Sequence, residues 1–417
     1  YLSPLLKGLF GAEQSPLNAE DLAIAGQVGF FGLNLQSGTG DVLSMQLASQ
    51  SQAGAVPSTA ILWKTPLSAD AMTPPSLIPG RNATGETAIL IQDAENQLYC
   101  LDAGGTLRWR RKLPGRLMGP VQGIDFQGNQ RNCYLFNTAT QLWLLDDAGA
   151  DVSGFPIALQ SPATNGVVAV DFDHSLRYYY FVACANGNLY GYDQFGRSLS
   201  GWNPLSGVGQ VTQPLLHCQR GDKDYLVALN RNGQLWVYGR DGTPRFPSLQ
   251  LEGTFAGPPQ ADAGSKSPRI IAVNTTGKAV GCNFAGEPFA VQVSKTPKLA
   301  PAKGAFLPLT GDSRYEYAVL QGNMLQVDGY EGATLRALFT ATLPSAQDTL
   351  FEVAGQRVGT LNRSKRQVLL LDGRGQLHPD FPLAGTTPFV ITDLFRQAGQ
   401  QVLVVGNGAS VYAYKVR

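Results

Sequence analysis

The sequence predicts an all-β fold, an eight-bladed β-propeller whose blades are four-stranded antiparallel sheets. Three observations lead to this prediction: a repeat of nearly constant length, the strand and turn content of one repeat, and an incomplete repeat at each end of the chain. A short apolar segment followed by a turn ending in Gly marks the repeat, as in LYCLDAGG. The distances between equivalent residues of consecutive repeats are 44, 47, 46, 44, 45, 44 and 43 residues, which matches the period of propeller blades. The equivalent residues are Leu98, Leu142, Leu189, Leu235, Ala279, Met324, Val368 and Val411.

One repeat contains four candidate strands. Between Leu189 and Leu235, short segments rich in Val, Leu, Tyr and Trp alternate with Gly, Asn, Asp and Pro. This pattern is typical of strands joined by hairpins. No segment carries a sustained apolar period of 3.6 residues, so helices are not expected. Four-stranded units of this length favour a closed ring, because closure hides the sheet edges that a separate unit would expose.

Two kinds of turn join these strands. Asn186-Gly187 and Asn232-Gly233 are suited to two-residue hairpins between the second and third strands, in which both residues take a positive φ. Between the third and fourth strands, type I turns are expected, capped by an Asp carboxylate and ended by a left-handed Gly. Four tetrads place Asp first and Gly fourth, and they begin at Asp102, Asp146, Asp193 and Asp372.

The two ends of the chain determine the number of blades. Seven complete repeats run from residue 73 to residue 385, and TPFVITDLF, QQVLVVGN and SVYAYKV then supply three more strands. AILWKTPL, at residues 60 to 67, resembles a fourth strand without its first three. We therefore predict that this N-terminal strand completes the C-terminal blade and closes a propeller over residues 60–417. Seven blades is the alternative.

Residues 1–59 do not follow the repeat. QVGFFGLNL and VLSMQLAS predict one β-hairpin, and SQSQAGAVPS after them predicts a loop. Two interpretations stay open. Residues 1–59 are an N-terminal extension left from an upstream domain, or the hairpin is an extra outer pair on the closing blade.

The composition argues against several kinds of partner. Charged residues make up 15% of the chain, against a usual ~25%. Lys and Arg number 32 against 31 Asp and Glu, so nucleic acid and acidic membranes would meet no basic field. The apolar segments fall short of the roughly 20 residues of a membrane-spanning helix. The five cysteines lie singly in apolar segments, which predicts buried free thiols and no metal site.

The strand-turn-strand segment LYCLDAGGTLRW, at residues 98 to 109, resembles the repeat of quinoprotein-like propellers. From about residue 60 onward the chain also resembles uncharacterised envelope-associated propeller proteins of Gram-negative bacteria. The similar segments are MGPVQGIDF, YLFNT and FPIALQSPATN. A looser resemblance is to the propeller lipoprotein of the outer-membrane β-barrel assembly machine, which scaffolds partners and catalyses nothing. These resemblances imply the fold and a periplasmic or outer-membrane-associated location.

The residues do not indicate catalysis. A quinone-dependent dehydrogenase of the quinoprotein family binds its cofactor in a pocket on the ring axis. It also needs a Ca²⁺ ion held by carboxylate and amide oxygens and an Asp base, and it often has two adjacent cysteines beside the cofactor. This sequence has no Cys-Cys pair, and the Trp of the repeat is clear at Trp109, with Trp63 a possible second example. His174, His217 and His378 lie in different repeats, and no G-x-S-x-G nominates a nucleophile. We therefore expect no catalytic residues and no cofactor, with a quinone-dependent dehydrogenase as the alternative.

The loops between blades are the candidate binding surface. They should gather on one face around the axis, and they are rich in Gly, Pro, Gln, Thr and Asn. Such a polar rim suits a protein or peptide partner, with a glycan as the alternative ligand, although Gly and Pro there also let strands crowd near the axis. A binding or scaffold function is thus predicted. The residues expected to carry it are Arg116, Gln122, Asn165, Gln210, Gln213, Gln260 and Lys303.

Overall fold

The computed structural model divides the chain into two compact units, Tyr1–Ser58 and Thr59–Arg417. In the first unit, β1 (Phe31–Ser37) and β2 (Leu43–Ser49) pair antiparallel, with Phe31 opposite Ser49. The proposed origin of residues 1–59 from an upstream domain stays a prediction. The structure describes residues 31–37, 43–49, 60–80, 85–255, 257–262, 268–276, 278–292, 303–311, 315–331, 334–396 and 400–416.

The second unit is an eight-bladed β-propeller, and the described residues of this unit form eight antiparallel sheets without a helix. In the third blade, the fourth position is filled by residues that make two isolated bridges, Leu189 with Leu205 and Tyr192 with Ser198. The strands of the first four blades are β4 (Ser76–Ile78), β5 (Ala88–Gln92), β6 (Gln97–Leu101) and β7 (Leu107–Lys112); β8 (Gln122–Ile124), β9 (Cys133–Asn137), β10 (Gln141–Leu145) and β11 (Ile157–Ala158); β12 (Val168–Val170), β13 (Tyr179–Ala183) and β14 (Leu189–Tyr192); β15 (Leu216–Arg220), β16 (Lys223–Leu229), β17 (Gln234–Tyr238) and β18 (Leu249–Gln250).

The last blade joins both ends of the propeller. β3 (Ile61–Pro66) pairs with the C-terminal strand as the outer strand of that blade, which confirms the predicted closure and excludes the seven-bladed alternative. The remaining strands are β19 (Gln260–Asp262), β20 (Arg269–Val273), β21 (Lys278–Asn283) and β22 (Pro288–Gln292); β23 (Lys303–Leu307), β24 (Glu316–Gln321), β25 (Met324–Glu331) and β26 (Thr334–Thr342); β27 (Thr349–Val353), β28 (Arg357–Asn362), β29 (Gln367–Leu371) and β30 (Leu383–Ala384); β31 (Val390–Thr392), β32 (Gln401–Gly406) and β33 (Ser410–Val416).

The core lies between neighbouring blades. The middle strands β5 and β9 are buried at every residue, because a neighbouring blade covers each face of the sheet to which the strand belongs. One cluster, for example, joins Leu90 and Cys100 of the first blade to Phe136 and Leu145 of the second. This arrangement explains why the middle strands are apolar up to their last residues, Gln92 and Asn137, and show no alternation of apolar and polar residues.

A contact between an outer strand and the next turn links the blades in series. The indole of Trp109, in β7, lies against Gly149 of the next blade, and its Nε1 donates to the carbonyl of Asp147 at 3.0 Å. A β-carbon on Gly149 would lie 2.6 Å from the indole ring. We call this contact the interlock. The same contact is made by Trp63 with Gly105, by Ile157 with Gly196, by Phe246 with Gly286 and by Phe339 with Gly375. Trp202 lies beside Gly242 in the same way, but a β-carbon there would first meet the carbonyl oxygen of Gly201 at 2.5 Å, with the indole Nε1 at 3.3 Å.

The tetrad turns behave as predicted. Gly105 has a φ of 81°, its N–H donates to the carbonyl of Asp102 at 3.0 Å, and the Asp102 carboxylate accepts the N–H of Thr106 at 2.8 Å. The glycine at the fourth position therefore has two roles. It takes the left-handed conformation of the turn and leaves room for the side chain from the preceding blade.

The prediction of two-residue Asn-Gly hairpins is wrong. Gly233 has a φ of 90°, whereas Asn232 is not in the left-handed region. The hairpin starts at Asn230, whose carbonyl accepts the N–H of Gly233 at 3.1 Å and whose side-chain oxygen accepts the N–H groups of Asn232 and Gln234 at 3.0 Å. Capping by this upstream amide favours a type I turn that ends in a left-handed Gly, the same design as in the tetrads.

Substituting alanine for an interlock glycine should destabilise the protein more than the same substitution at a left-handed glycine with free space around it. Gly149→Ala should lower the free energy of unfolding by about 2–4 kcal/mol, because the added methyl group overlaps with the Trp109 ring and alanine disfavours the left-handed φ. Gly207→Ala is the matched control, since Gly207 has a φ of 79° and no atom within 4 Å of the added carbon. Its expected cost is about 1 kcal/mol. Equal urea midpoints for the two variants would contradict the interlock.

Candidate functional site

The loop face is the candidate site. We define it as the edge of the ring formed by the inter-blade loops and the hairpins between second and third strands; the opposite edge, with the other turns, is the turn face. The structure places all seven predicted residues in these loops or at the start of the strands that follow them. Their side chains differ in exposure and in hydrogen bonding.

Arg116 lies on a clamped segment of backbone. The Gln92 side chain, which is fully buried, donates from Nε2 to the carbonyl of Gly115 at 3.0 Å and accepts the N–H of Leu117 at 2.8 Å. One buried amide thus holds the residues on both sides of Arg116, while the Arg116 side chain is exposed. The loop presents this cation from a fixed backbone.

Gln210 is held in a similar way. The N–H of Gly209 donates to the carbonyl of Gly187 at 3.1 Å, the carbonyl of Gln210 accepts the N–H of Arg231 at 3.1 Å, and the carbonyl of Val211 accepts the Thr164 hydroxyl at 2.5 Å. The Gln210 side chain is exposed. A second polar group is therefore displayed on a clamped loop.

Two other predicted residues connect blades inside the protein. Asn165 is 3% exposed, and its amide donates to the carbonyl of Gln213 at 2.6 Å and accepts the N–H of Ala183 at 3.1 Å. Gln122 donates to the carbonyl of Val167 at 2.6 Å. These side-chain groups already serve the loops, so a ligand would meet them only in competition with intramolecular bonds.

The last three predicted residues are Gln213, Gln260 and Lys303. Gln213 and Gln260 are half-buried, and Gln260 is the first residue of β19. Lys303 is the first residue of β23, and its side chain lies outside the described part of the structure. Among the six predicted residues whose side chains the structure describes, Arg116 and Gln210 best combine exposure with a fixed backbone.

An ion network centred on one buried carboxylate lies between the third and fourth blades. Asp224, with 1% of its side chain exposed, accepts from His217 Nε2 at 2.8 Å and from Arg240 Nε, and Arg240 also pairs with Asp173 at 2.5 Å. The sequence did not reveal the pairing of His217 with Asp224, because the two residues meet only when β15 folds beside β16. The guanidinium of Arg240 bridges two blades, so the network has a structural explanation.

Metal-ligating side chains do not cluster in the described ranges. Within those ranges, no three His, Cys, Asp or Glu side chains converge to hold a metal ion. All five cysteines are free thiols, and burial raises their pKa values, to about 11 for Cys133 and Cys184 and to about 12 for Cys100, Cys218 and Cys282. These thiols stay protonated near neutral pH, which makes them poor nucleophiles.

No membrane-spanning helix occurs among the described residues.

A pocket of about 380 Å³ lies between the first strands of the first two blades. The pocket contains one polar side chain, Asn132, which donates to the carbonyl of Pro79 at 2.7 Å. Such a lining offers little polar chemistry for catalysis. The other lining residues are Leu77, Ile78, Gly80 and Gly123.

Loss of the buried clamp should destabilise the loop that carries Arg116. In Gln92→Leu, the Gly115 carbonyl and the Leu117 N–H lose their buried partner, so the free energy of unfolding should fall by about 1–3 kcal/mol. Hydrogen exchange at the Leu117 amide should also accelerate. Gln250→Leu is the control, because exposed Gln250 donates to two carbonyls that water can reach. An unprotected Leu117 amide in the wild type would contradict the clamp.

No protein-family model and no curated protein sequence matches this chain. Solved structures do resemble it. BamB from Moraxella catarrhalis is 13% identical with a TM-score of 0.55, over 86% of this chain and 99% of that one. Quinohemoprotein alcohol dehydrogenase from Comamonas testosteroni is 10% identical with a TM-score of 0.57, over 88% and 78%. BBS1N, in complex with ARL6DN, is 10% identical with a TM-score of 0.50, over 86% and 96%.

These similarities concern the fold. They confirm the resemblance to quinoprotein-like propellers at that level, because a quinohemoprotein and BamB both align with most of the chain. Identities of 10 to 13% do not transfer an activity. The chain is therefore similar in fold both to a dehydrogenase and to propellers such as BamB and BBS1N.

Proposed function

We propose that this propeller is a non-enzymatic scaffold of the bacterial cell envelope that binds a protein or peptide partner through its loop face. The observation that carries the proposal is the clamp around Arg116. Because Gln92 fixes the backbone on both sides, the exposed guanidinium is presented with little loop entropy left to lose. Such preorganisation favours binding, since ordering a loop on association costs affinity.

Two similar structures support a protein partner. BBS1N was solved in complex with another protein, ARL6DN, and it shares the propeller fold over 86% of this chain. The similarity to BamB, together with the sequence resemblance to envelope-associated propellers, supports the envelope as the location. The near balance of 32 basic and 31 acidic residues also favours a protein surface over nucleic acid.

The alternatives have less support. A quinone-dependent dehydrogenase has the fold similarity in its favour, but no three His, Cys, Asp or Glu side chains converge among the described residues. Glycan binding is usually carried by exposed polar and aromatic groups, whereas one of the predicted residues that the described structure shows both exposed and on a clamped backbone is a cation, Arg116. A guanidinium suits the carboxylate of a protein partner better.

Site-specific photocrosslinking tests the proposed surface. Benzoylphenylalanine replaces Arg116 in one variant and Gln210 in another. Each variant is expressed in cells, and the envelope fraction of those cells is irradiated. We expect both variants to capture the same protein, identified by mass spectrometry. The matched control replaces Arg374, an exposed residue in a tetrad turn of the seventh blade on the turn face.

The outcomes separate the hypotheses. Capture of one protein from the loop face, and not from the position of Arg374, supports the scaffold. Equal capture from all three positions, or none from the loop face, would contradict it. Oxidation of an alcohol by the purified chain with added quinone and Ca²⁺ would instead support the dehydrogenase.

A further inference from the structure

An apolar patch on the turn face joins the second and third blades. Phe195, at the tip of the tetrad turn that begins at Asp193, is 51% exposed. Its ring lies edge-on to Phe126 of the second blade, with centroids 5.9 Å apart. Leu176 is 39% exposed, and its side chain lies beside Gly128, in the same turn as Phe126. We call Phe126, Leu176 and Phe195 the Phe195 patch.

Leu176 is held in an unusual conformation. Its φ is 62°, in the left-handed region that leucine rarely adopts. The Asp171 carboxylate imposes this turn by accepting the N–H groups of Ser175 at 3.0 Å and Leu176 at 2.8 Å. The same turn recurs in the second blade, where the Asp125 carboxylate accepts the N–H groups of Asn129 and Gln130 at 3.1 Å and Gln130 has a φ of 60°. The turn therefore explains the left-handed φ, but it does not require an exposed apolar side chain at this position.

The turn of Phe195 is fixed as well. The N–H of Phe195 donates to Asp193 Oδ1 at 2.9 Å, and the Arg197 guanidinium lies 5.2 Å from the ring centroid while it pairs with Asp193 at 2.7 Å. The corresponding positions of the tetrads that begin at Asp102, Asp146 and Asp372 are Gly, Ala and Arg. The exposed phenylalanine is therefore not a requirement of the turn.

The charged groups around the patch differ in whether they have a partner. The carboxylates are already engaged: Asp125 and Asp171 accept backbone N–H groups, Asp173 pairs with Arg240, and Asp193 pairs with Arg197. Arg131 and Arg177 precede the second strands of the same two blades, are exposed, and form no ion pair with any residue in the described ranges. An apolar centre beside two exposed guanidinium groups that have no ion-pair partner among the described residues complements an acidic segment with an apolar anchor.

We propose that the Phe195 patch is a second docking site, which binds an acidic peptide segment of a partner protein through an apolar or aromatic anchor residue. The anchor packs on Phe195 and Leu176, and the acidic groups pair with Arg131 and Arg177. Aromatic anchors and arginine pairs carry most of the binding energy of such interfaces. The site is independent of the loop face, so the scaffold would hold two partners on opposite edges of the ring.

The test uses the full chain and a phage library of random twelve-residue peptides. Selection on the wild type should enrich peptides that place Asp or Glu beside Leu, Phe or Trp. Retention of that pool should fall at least about tenfold on Phe195→Ala and on the double variant Arg131→Gln/Arg177→Gln. Leu176→Gly should lose retention while keeping or raising the melting temperature, because glycine accepts the left-handed φ.

Matched controls make the result decisive. Leu377→Ala removes another exposed leucine, in the seventh blade, and Arg116→Ala alters the loop face; both should retain the pool. A pool without acidic bias, or unchanged retention on Phe195→Ala and Leu176→Gly, would overturn the proposal. So would dimerisation of the wild type in sedimentation that Phe195→Ala abolishes, because the occupant would then be a second copy of the chain.

Discussion

The structure depends on the contact between one blade's outer side chain and the turn glycine of the next blade. Each blade is a small sheet with two apolar faces, so it cannot stay folded unless its neighbours cover both. The interlock fixes the relative position of the blades at the outer rim, where the sheets diverge. At Trp63, the N-terminal strand β3 makes this same contact with the first blade, and the indole donates to the carbonyl of Ala103 at 3.0 Å.

Much of the fold follows from the sequence, because turn chemistry is local. The Asp102 tetrad specifies a type I turn by itself, and the repeat length then fixes four strands per blade. The interlock was only partly visible: Trp109 follows the first residue of its tetrad by seven positions and Trp202 by nine, so the spacing hides their equivalence. Ile157 and Phe339 perform the same role without tryptophan, and only the neighbouring blade shows it.

The candidate site was less predictable for a related reason. Composition located the loop face, but Gln122 and Asn165 bond across blades, and these partners lie 45 and 48 residues away. The clamp by Gln92 and the Phe195 patch likewise arise between segments that meet only in the closed ring. Ring closure therefore connects stability to function, because the bonds that position the blades also fix the surfaces available to partners.

A double-mutant cycle between Trp109→Ala and Gly149→Ala tests the interlock most directly. If the indole occupies the space beside the glycine, removing it relieves the clash of the added methyl group. The losses in free energy of unfolding should then be non-additive, with a coupling of at least about 1 kcal/mol. Losses that add within about 0.5 kcal/mol would show that the two residues act independently, and would contradict the account.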